Sequence, residues 1–177
     1  LMESIPFGYK PGTITIIRKY PGKGAALCWN GANTIYATKG NGTYEFWAYD
    51  ILTNTWTQKA YVPAHKPLKG GTSLVFKDGK VYLLAGGQKA DAPTNFFEFT
   101  PSADTGTWTQ MLTAPLTPDN KVYKDGSCLT ILGTTIYALK GGGAHNYFYE
   151  FDGSDWTELE TIPLRHPQTG TQKPKVK

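Results

Sequence analysis

Three histidines, His65, His145 and His166, are the side chains of this chain best suited to metal ligation or proton transfer near neutral pH. No two of them stand at HxxH or HExxH spacing, so the sequence does not encode a helix-borne metal centre. Neither a GxSxG elbow nor a phosphate-cradling GxxxxGK is present, and no Ser-His-Asp order is recognisable. The run Gly141-Gly142-Gly143 lies between two strand-like stretches and lacks the helix N-terminus on which a phosphate loop depends. The expectation is therefore no catalytic residue, no metal site and no cofactor. What remains is recognition chemistry, and it depends on the elements that carry these side chains.

Those elements repeat. Gly24–Pro63, Gly71–Leu116 and Gly126–Leu164 follow one pattern. The tyrosines of an IY, VY and IY pair are Tyr36, Tyr82 and Tyr137, and the downstream tryptophans are Trp56, Trp108 and Trp156. A proline follows each tryptophan at the same interval, at Pro63, Pro115 and Pro163. Only the middle connections vary, as exposed loops allow. A period of about 40–50 residues built from short strands is a mark of stacked repeats. Runs such as TIYATKG, VYLLAGG and IYALKGG are rich in β-branched and aromatic residues and end in glycine. Turn signals such as Asn30-Gly31 and Asp78-Gly79 separate them. No stretch shows sustained helical periodicity with caps.

Each copy thus reads as four antiparallel strands, the last bearing the tryptophan. A lone sheet of this size leaves both faces open and must stack on a neighbour. Alternation of strand direction then places the connection between copies on the same side as the loop between second and third strands. His65 and His166 fall in the first kind of connection and His145 in the second. Lys66, Lys69, Asp91, Asp119, Asn120, Asn146 and Arg165 share that side. The candidate ligand-binding face is accordingly His65, Lys66, His145, Asn146, Arg165 and His166. Tyr61, Phe96, Tyr123 and Tyr147 flank the same connections and suit either stacking on a ligand or packing between sheets. Thr13–Arg18 (TITIIR) reads as one further strand, at the first sheet's inner edge or on a neighbour.

The repeat resembles the kelch motif of β-propellers. Gly86-Gly87 and Gly141-Gly142 match its diglycine, while the first copy departs with Lys39-Gly40-Asn41-Gly42. Tyr49-Asp50 and Phe151-Asp152 match the third-strand signature, Phe99-Thr100 matches it loosely, and all three tryptophans match. The arginine beyond the fourth strand is matched only by Arg165. The reverse order of Asp155-Trp156 disfavours a WD-type propeller. The resemblance implies an all-β fold of kelch-like β-propeller blades, three in number, with partial strands at the ends. The divisions expected are an end of a preceding blade and connecting strand over 1–23, blades over 24–63, 64–116 and 117–164, and a linker or start of a next blade over 165–177. The resemblance is nearly silent on function, because kelch propellers serve as scaffolds, glycan-active enzymes and adhesive surfaces.

Three blades fall short of the roughly 4–8 that close a ring. Leu1-Met2-Glu3-Ser4-Ile5-Pro6 aligns with Glu158-Leu159-Glu160-Thr161-Ile162-Pro163, the end of a fourth strand. The 177-residue chain therefore reads as a segment of a longer array, its ring completed by further blades or by a second chain. Net charge is +4, charged residues make up 18%, and no basic run is dense, so no nucleic-acid partner is expected. No membrane span is present in the sequence. Cys28 and Cys128 sit on first strands of non-adjacent copies and read as small buried hydrophobes rather than a disulfide. Abundant Thr, Gly, Asn and Tyr point to an extracellular or cell-surface setting. The expected role is a non-catalytic recognition or assembly module that presents loops for protein or glycan binding. The rivals are part of a glycan-processing enzyme on a kelch scaffold and a structural subunit that completes a propeller by oligomerisation.

Overall fold

The structure, a computed structural model, describes residues 3–90, 95–142 and 146–163. A two-stranded ribbon of β1 (Gly8–Tyr9) and β2 (Ile16–Ile17) precedes the repeats. The first sheet is a meander of β3 (Ala26–Trp29), β4 (Thr34–Thr38), β5 (Phe46–Asp50) and β6 (Thr55–Gln58). The second repeats it with β7 (Ser73–Lys77), β8 (Lys80–Leu84), β9 (Phe96–Thr100) and β10 (Thr107–Gln110). The third has β11 (Cys128–Leu132), β12 (Thr135–Leu139), β13 (Phe148–Phe151) and β14 (Trp156–Glu158). All pairings are antiparallel, and the repeat columns fall in register: Tyr36 faces Ala48, Tyr82 faces Glu98 and Tyr137 faces Glu150. The all-β expectation of four-stranded blades holds.

Local chemistry explains the turns. Asp78 and Gly79 both take positive φ, which a two-residue hairpin needs to match strand twist. Asp50 and Asp152 close the turns after the third strands. The Asp50 carboxylate accepts from the backbone N–H groups of Thr53 (2.9 Å) and Leu52 (2.8 Å). Asp152 accepts from Asp155 (2.9 Å) and Ser154 (2.7 Å). The acidic residue of the third-strand signature is thus a turn-former. In the second blade Thr100 holds this column, and a longer turn is closed instead by Gly106 N–H donating to Ser102 Oγ at 3.0 Å.

The innermost strands lie side by side, β3 along β7 and β7 along β11. The glycine that ends each second strand is there because no Cβ fits. A Cβ on Gly86 would stand 2.2 Å from the Gly70 carbonyl oxygen, and one on Gly141 2.4 Å from the Gly126 carbonyl carbon. Gly40 occupies the same place in the first blade, 2.4 Å from the Ala25 nitrogen. The motif departure there is only in the following column, where Asn41 takes the positive φ of Gly87.

Two buried clusters join the blades. Tyr36, Phe46 and Ala48 of the first blade pack on Leu74, Val81, Leu83, Phe97 and Phe99 of the second. Val75, Tyr82, Leu84 and Phe96 of the second pack on Leu129, Ile136, Ala138, Tyr149 and Phe151 of the third. One aromatic triangle recurs at both interfaces. Phe46 meets Phe99 at 4.8 Å and Trp108 at 4.9 Å; Phe96 meets Phe151 at 5.2 Å and Trp156 at 5.0 Å. Such edge-to-face pairs add about 0.5–1.5 kcal/mol each beyond burial.

The tryptophan nitrogens clasp across blades. Trp108 Nε1 donates to the Ala60 carbonyl (2.9 Å) and Trp156 Nε1 to Leu112 (3.1 Å). Both acceptors lie four residues beyond the preceding tryptophan. Trp56 Nε1 donates to the Glu3 carbonyl (3.0 Å), so residue 3 stands where Ala60 and Leu112 stand at the later interfaces. The alignment of Leu1–Pro6 with Glu158–Pro163 has a structural counterpart at this contact.

Two expectations are revised. Thr13–Arg18 does not join a blade: Thr13 turns back on the Lys10 carbonyl, and only Ile16–Ile17 pairs, with Gly8–Tyr9. Cys128 is exposed rather than buried, because its side of the third sheet has no neighbour among the described residues. Cys28, between the first two blades, is half-buried, and burial pushes its thiol up to about 12.

Candidate ligand-binding face

Loops of both predicted kinds open on one side of the stacked blades. The β6–β7 connection contributes Lys69 and Gly70, the β8–β9 loop Gly87, Gln88 and Ala90, and the β10–β11 connection Asn120, Lys121, Val122 and Lys124. With Lys23 and Asp125 they line one cavity of about 520 Å³. An adjoining hollow of about 360 Å³ is lined by Lys19, Asn41 and Gly42 and shares Lys23 and Lys69 with the first.

Gln88 fixes the geometry. Its buried side chain accepts from Lys66 N–H at 2.8 Å and donates to the Lys66 carbonyl at 3.0 Å, so the β6–β7 connection is tied to the β8–β9 loop. Gly87 N–H donates to the Tyr123 carbonyl (2.8 Å), which ties the same loop to the next connection. Beyond it, Lys121 N–H donates to Thr117 Oγ1 at 2.8 Å and Thr117 Oγ1 donates to Asp119. Asn120 completes that turn at positive φ.

The sequence-predicted residues are placed as follows. His65 is exposed in the β6–β7 connection and Lys66 is half-buried with its backbone held by Gln88, and neither is among the cavity's lining residues. Asn146 donates its side-chain amide to the Ile162 carbonyl, and its own carbonyl accepts from Ile162 N–H at 3.1 Å. Asn95 makes the corresponding clasp with Ala114 in the second blade. His145, Arg165, His166 and Asp91 lie outside the described residues. Of the flanking aromatics, Phe96 and Tyr123 are fully buried, Tyr61 donates its hydroxyl to the Tyr9 carbonyl (2.6 Å), and Tyr147 stacks on Tyr149. Burial raises the Tyr123 phenol well above its ordinary range, and its hydroxyl has no hydrogen-bond partner among the described residues.

Electrostatics single out Lys69, which the sequence placed on this side, and Lys124, which it did not. Lys69 and Lys124 hold equivalent places, each with its carbonyl accepting from the first residue of the inner strand region, Thr72 (3.2 Å) and Ser127 (3.0 Å). Among the described residues neither ammonium is ion-paired. Lys23 pairs with Asp125 at 3.3 Å, and Lys19 donates to the Asn41 and Gly42 carbonyls. The signal was present in the sequence as Lys69-Gly70-Gly71 and Lys124-Asp125-Gly126, lysines at one interval before the repeat's opening glycine. No group of three His, Cys, Asp or Glu close enough to hold a metal ion occurs among the described residues.

A second charged centre is structural. Lys39 and Glu45 form a wholly buried pair at 2.7 Å under the N-terminal segment, with Lys39 also donating to the Pro6 carbonyl (2.5 Å). Trp47 Nε1 donates to Glu45 Oε2 (3.0 Å). In the third blade Lys140 takes the place of Lys39 and donates to the Val122 carbonyl (2.9 Å), with burial lowering its pKa.

Four-stranded antiparallel meanders, a close-packed glycine ending each second strand and a clasping tryptophan on each fourth are together consistent with kelch-type propeller blades. The comparison with known proteins agrees: over 165 residues the chain is 27% identical to Kelch-like protein terF from Aspergillus terreus, a match that takes in 83% of this chain. The chain spans about a third of that relative's length, the match taking in 32% of it. No protein-family model matches the chain. Sheet architecture and similarity together support a kelch-type β-propeller module. Among the described residues no helix is long and apolar enough to cross a membrane.

Proposed function

We propose that the chain is a non-catalytic recognition and assembly module. Its stacked blades hold loops in fixed relative positions for a protein or glycan partner, and its outer sheet faces seat further blades, whether of the same protein or of another chain. The observation that carries this reading is the shared cavity, to which connections from successive blades contribute and whose walls are cross-tied by Gln88 and Gly87. Loops pre-ordered by such ties lose less entropy on binding than free ones. His65, Lys66 and Asn146, with His145, Arg165 and His166, are proposed as the surround of this face. An extracellular or cell-surface setting belongs to the same proposal, supported by the low share of charged residues.

The test is a glycan and peptide array probed with the purified chain, run beside a turnover assay on the same sugars. Saturable binding that weakens in Gln88→Ala, without product formation, is the expected result. Conversion of any arrayed sugar would overturn the non-catalytic reading.

A further inference from the structure

We propose that the cavity shared by the β6–β7, β8–β9 and β10–β11 loops is a binding site for a small ligand bearing tetrahedral oxyanions, a phosphate or sulfate ester. This rests on the loop-face reading above and gives that face its ligand chemistry. Four lysines, Lys23, Lys69, Lys121 and Lys124, line one cavity, and Lys19 lines the hollow that adjoins it. Five cations therefore meet in a chain whose net charge is only +4. They come from segments far apart in sequence and are brought together because the inner strands β3, β7 and β11 run side by side.

Lys121 pairs with Asp119 at 3.9 Å, so the one-sided charge of the cavity rests on Lys69 and Lys124. Lys69 and Lys124 are exposed and, among the described residues, without an ion-pair partner. Asp125 is the one carboxylate among the cavity's described lining residues, and Lys23 offsets it at 3.3 Å. Ammonium groups held near one another repel, and an anion seated between them relieves that repulsion. A cavity wall also excludes part of the screening solvent, which strengthens each such contact.

The residue type narrows the ligand. Arginine's planar fork matches a carboxylate in two parallel hydrogen bonds, whereas lysine is a compact point charge with three rotatable donors. A site whose described lining carries lysines and no arginine suits an oxyanion that accepts from several directions, as phosphate and sulfate do. At about 520 Å³ the cavity is in the range of small-molecule sites and can hold two such groups with their connecting atoms. Asn120 and Gln88 supply neutral hydrogen-bonding groups at its wall.

The experiment is calorimetric titration of the full chain with inorganic pyrophosphate, inorganic sulfate and citrate at low ionic strength, repeated as salt is raised. Pyrophosphate is expected to bind in a saturable way, more tightly than citrate, and to weaken with salt. Lys69→Ala and Lys124→Ala should each lower its affinity about tenfold, the effect of losing one charged hydrogen bond. Lys10→Ala, a cation in the ribbon turn, should leave it unchanged. Asp125→Asn should tighten binding, a gain that misfolding cannot produce. A preference for pyrophosphate over sulfate would assign the ligand as a phosphate ester, and the reverse order a sulfate ester. No saturable binding of either anion, or equal losses in Lys10→Ala and Lys69→Ala, would overturn the site. In that case array binding sensitive to Gln88→Ala would leave the recognition reading standing.

Discussion

Single side chains carry distinct burdens here, and the buried Lys39–Glu45 pair carries the heaviest. Both are without solvent contact, so removing one leaves an uncompensated charge or forces its neutralisation. Lys39→Ala should destabilise the fold by about 3–5 kcal/mol in urea unfolding, while Lys39→Met with Glu45→Leu should cost much less. The turn aspartates behave differently, Asp152 being exposed and Asp50 half-buried. Backbone N–H groups of Thr53 and Leu52 hold the Asp50 carboxyl below its usual range, and those of Asp155 and Ser154 do the same for Asp152. A lowered native pKa means that the stabilisation is complete above the unfolded value, near 3.9, and is lost as pH falls through the lowered native one. Replacing both by Asn should therefore flatten the acid limb of stability against pH and leave its neutral region nearly level. Acid titration followed by circular dichroism reads this directly. Neither role was legible from composition: Asp50 and Asp152 stood out as motif letters, but only the backbone geometry shows what the letter does.

Among the elements, each sheet is held by what it gives to the next. Trp108 contributes ring area to Phe46 and Phe99 and a hydrogen bond to Ala60 across the interface. Trp108→Phe should cost about 1 kcal/mol for the lost bond plus some packing, and Trp108→Ala about 3–5 kcal/mol. Gly86→Ala should cost more than its size suggests, since the added carbon meets main chain at 2.2 Å rather than a side chain that can turn away. Thermal denaturation of the set would rank them. The sheets were legible from sequence because each strand column, Tyr36 with Tyr82 and Tyr137 or Trp56 with Trp108 and Trp156, recurs under the same packing demand. The strand expected over Thr13–Arg18 was not, because β propensity alone cannot tell a blade edge from a segment that a turn at Lys10–Thr13 folds onto its own neighbour. Of the lysine cluster only Lys69 was placed on the loop face from sequence, for a similar reason. Lys19, Lys23, Lys69, Lys121 and Lys124 never form a dense run, and they meet only through the side-by-side packing of β3, β7 and β11.

For the whole molecule, the described blades leave two half-made interfaces. On the first sheet Tyr49 and Trp56 stand 5.0 Å apart in the places that Phe99 with Trp108, and Phe151 with Trp156, hold at the formed interfaces. Exposed Leu27 lies beside them over an apolar hollow of about 580 Å³. On the third sheet Tyr137 stacks on Phe148 at 5.7 Å, as Tyr36 stacks on Phe46 and Tyr82 on Phe96, with Leu139 and Ile162 lining a hollow of about 230 Å³. Each surface carries the part of the aromatic triangle that the other lacks. Exposed apolar patches of this kind mark contact sites. Sedimentation velocity of the chain over a range of concentrations is the most direct test, run beside Leu27→Asp and Phe148→Asp. Leu27 is 66% exposed, so the first substitution leaves the core intact. The account predicts concentration-dependent association of the unaltered chain that either substitution abolishes while the β-sheet spectrum is kept. A chain that sediments as a folded monomer at every concentration, unaffected by either change, would contradict it.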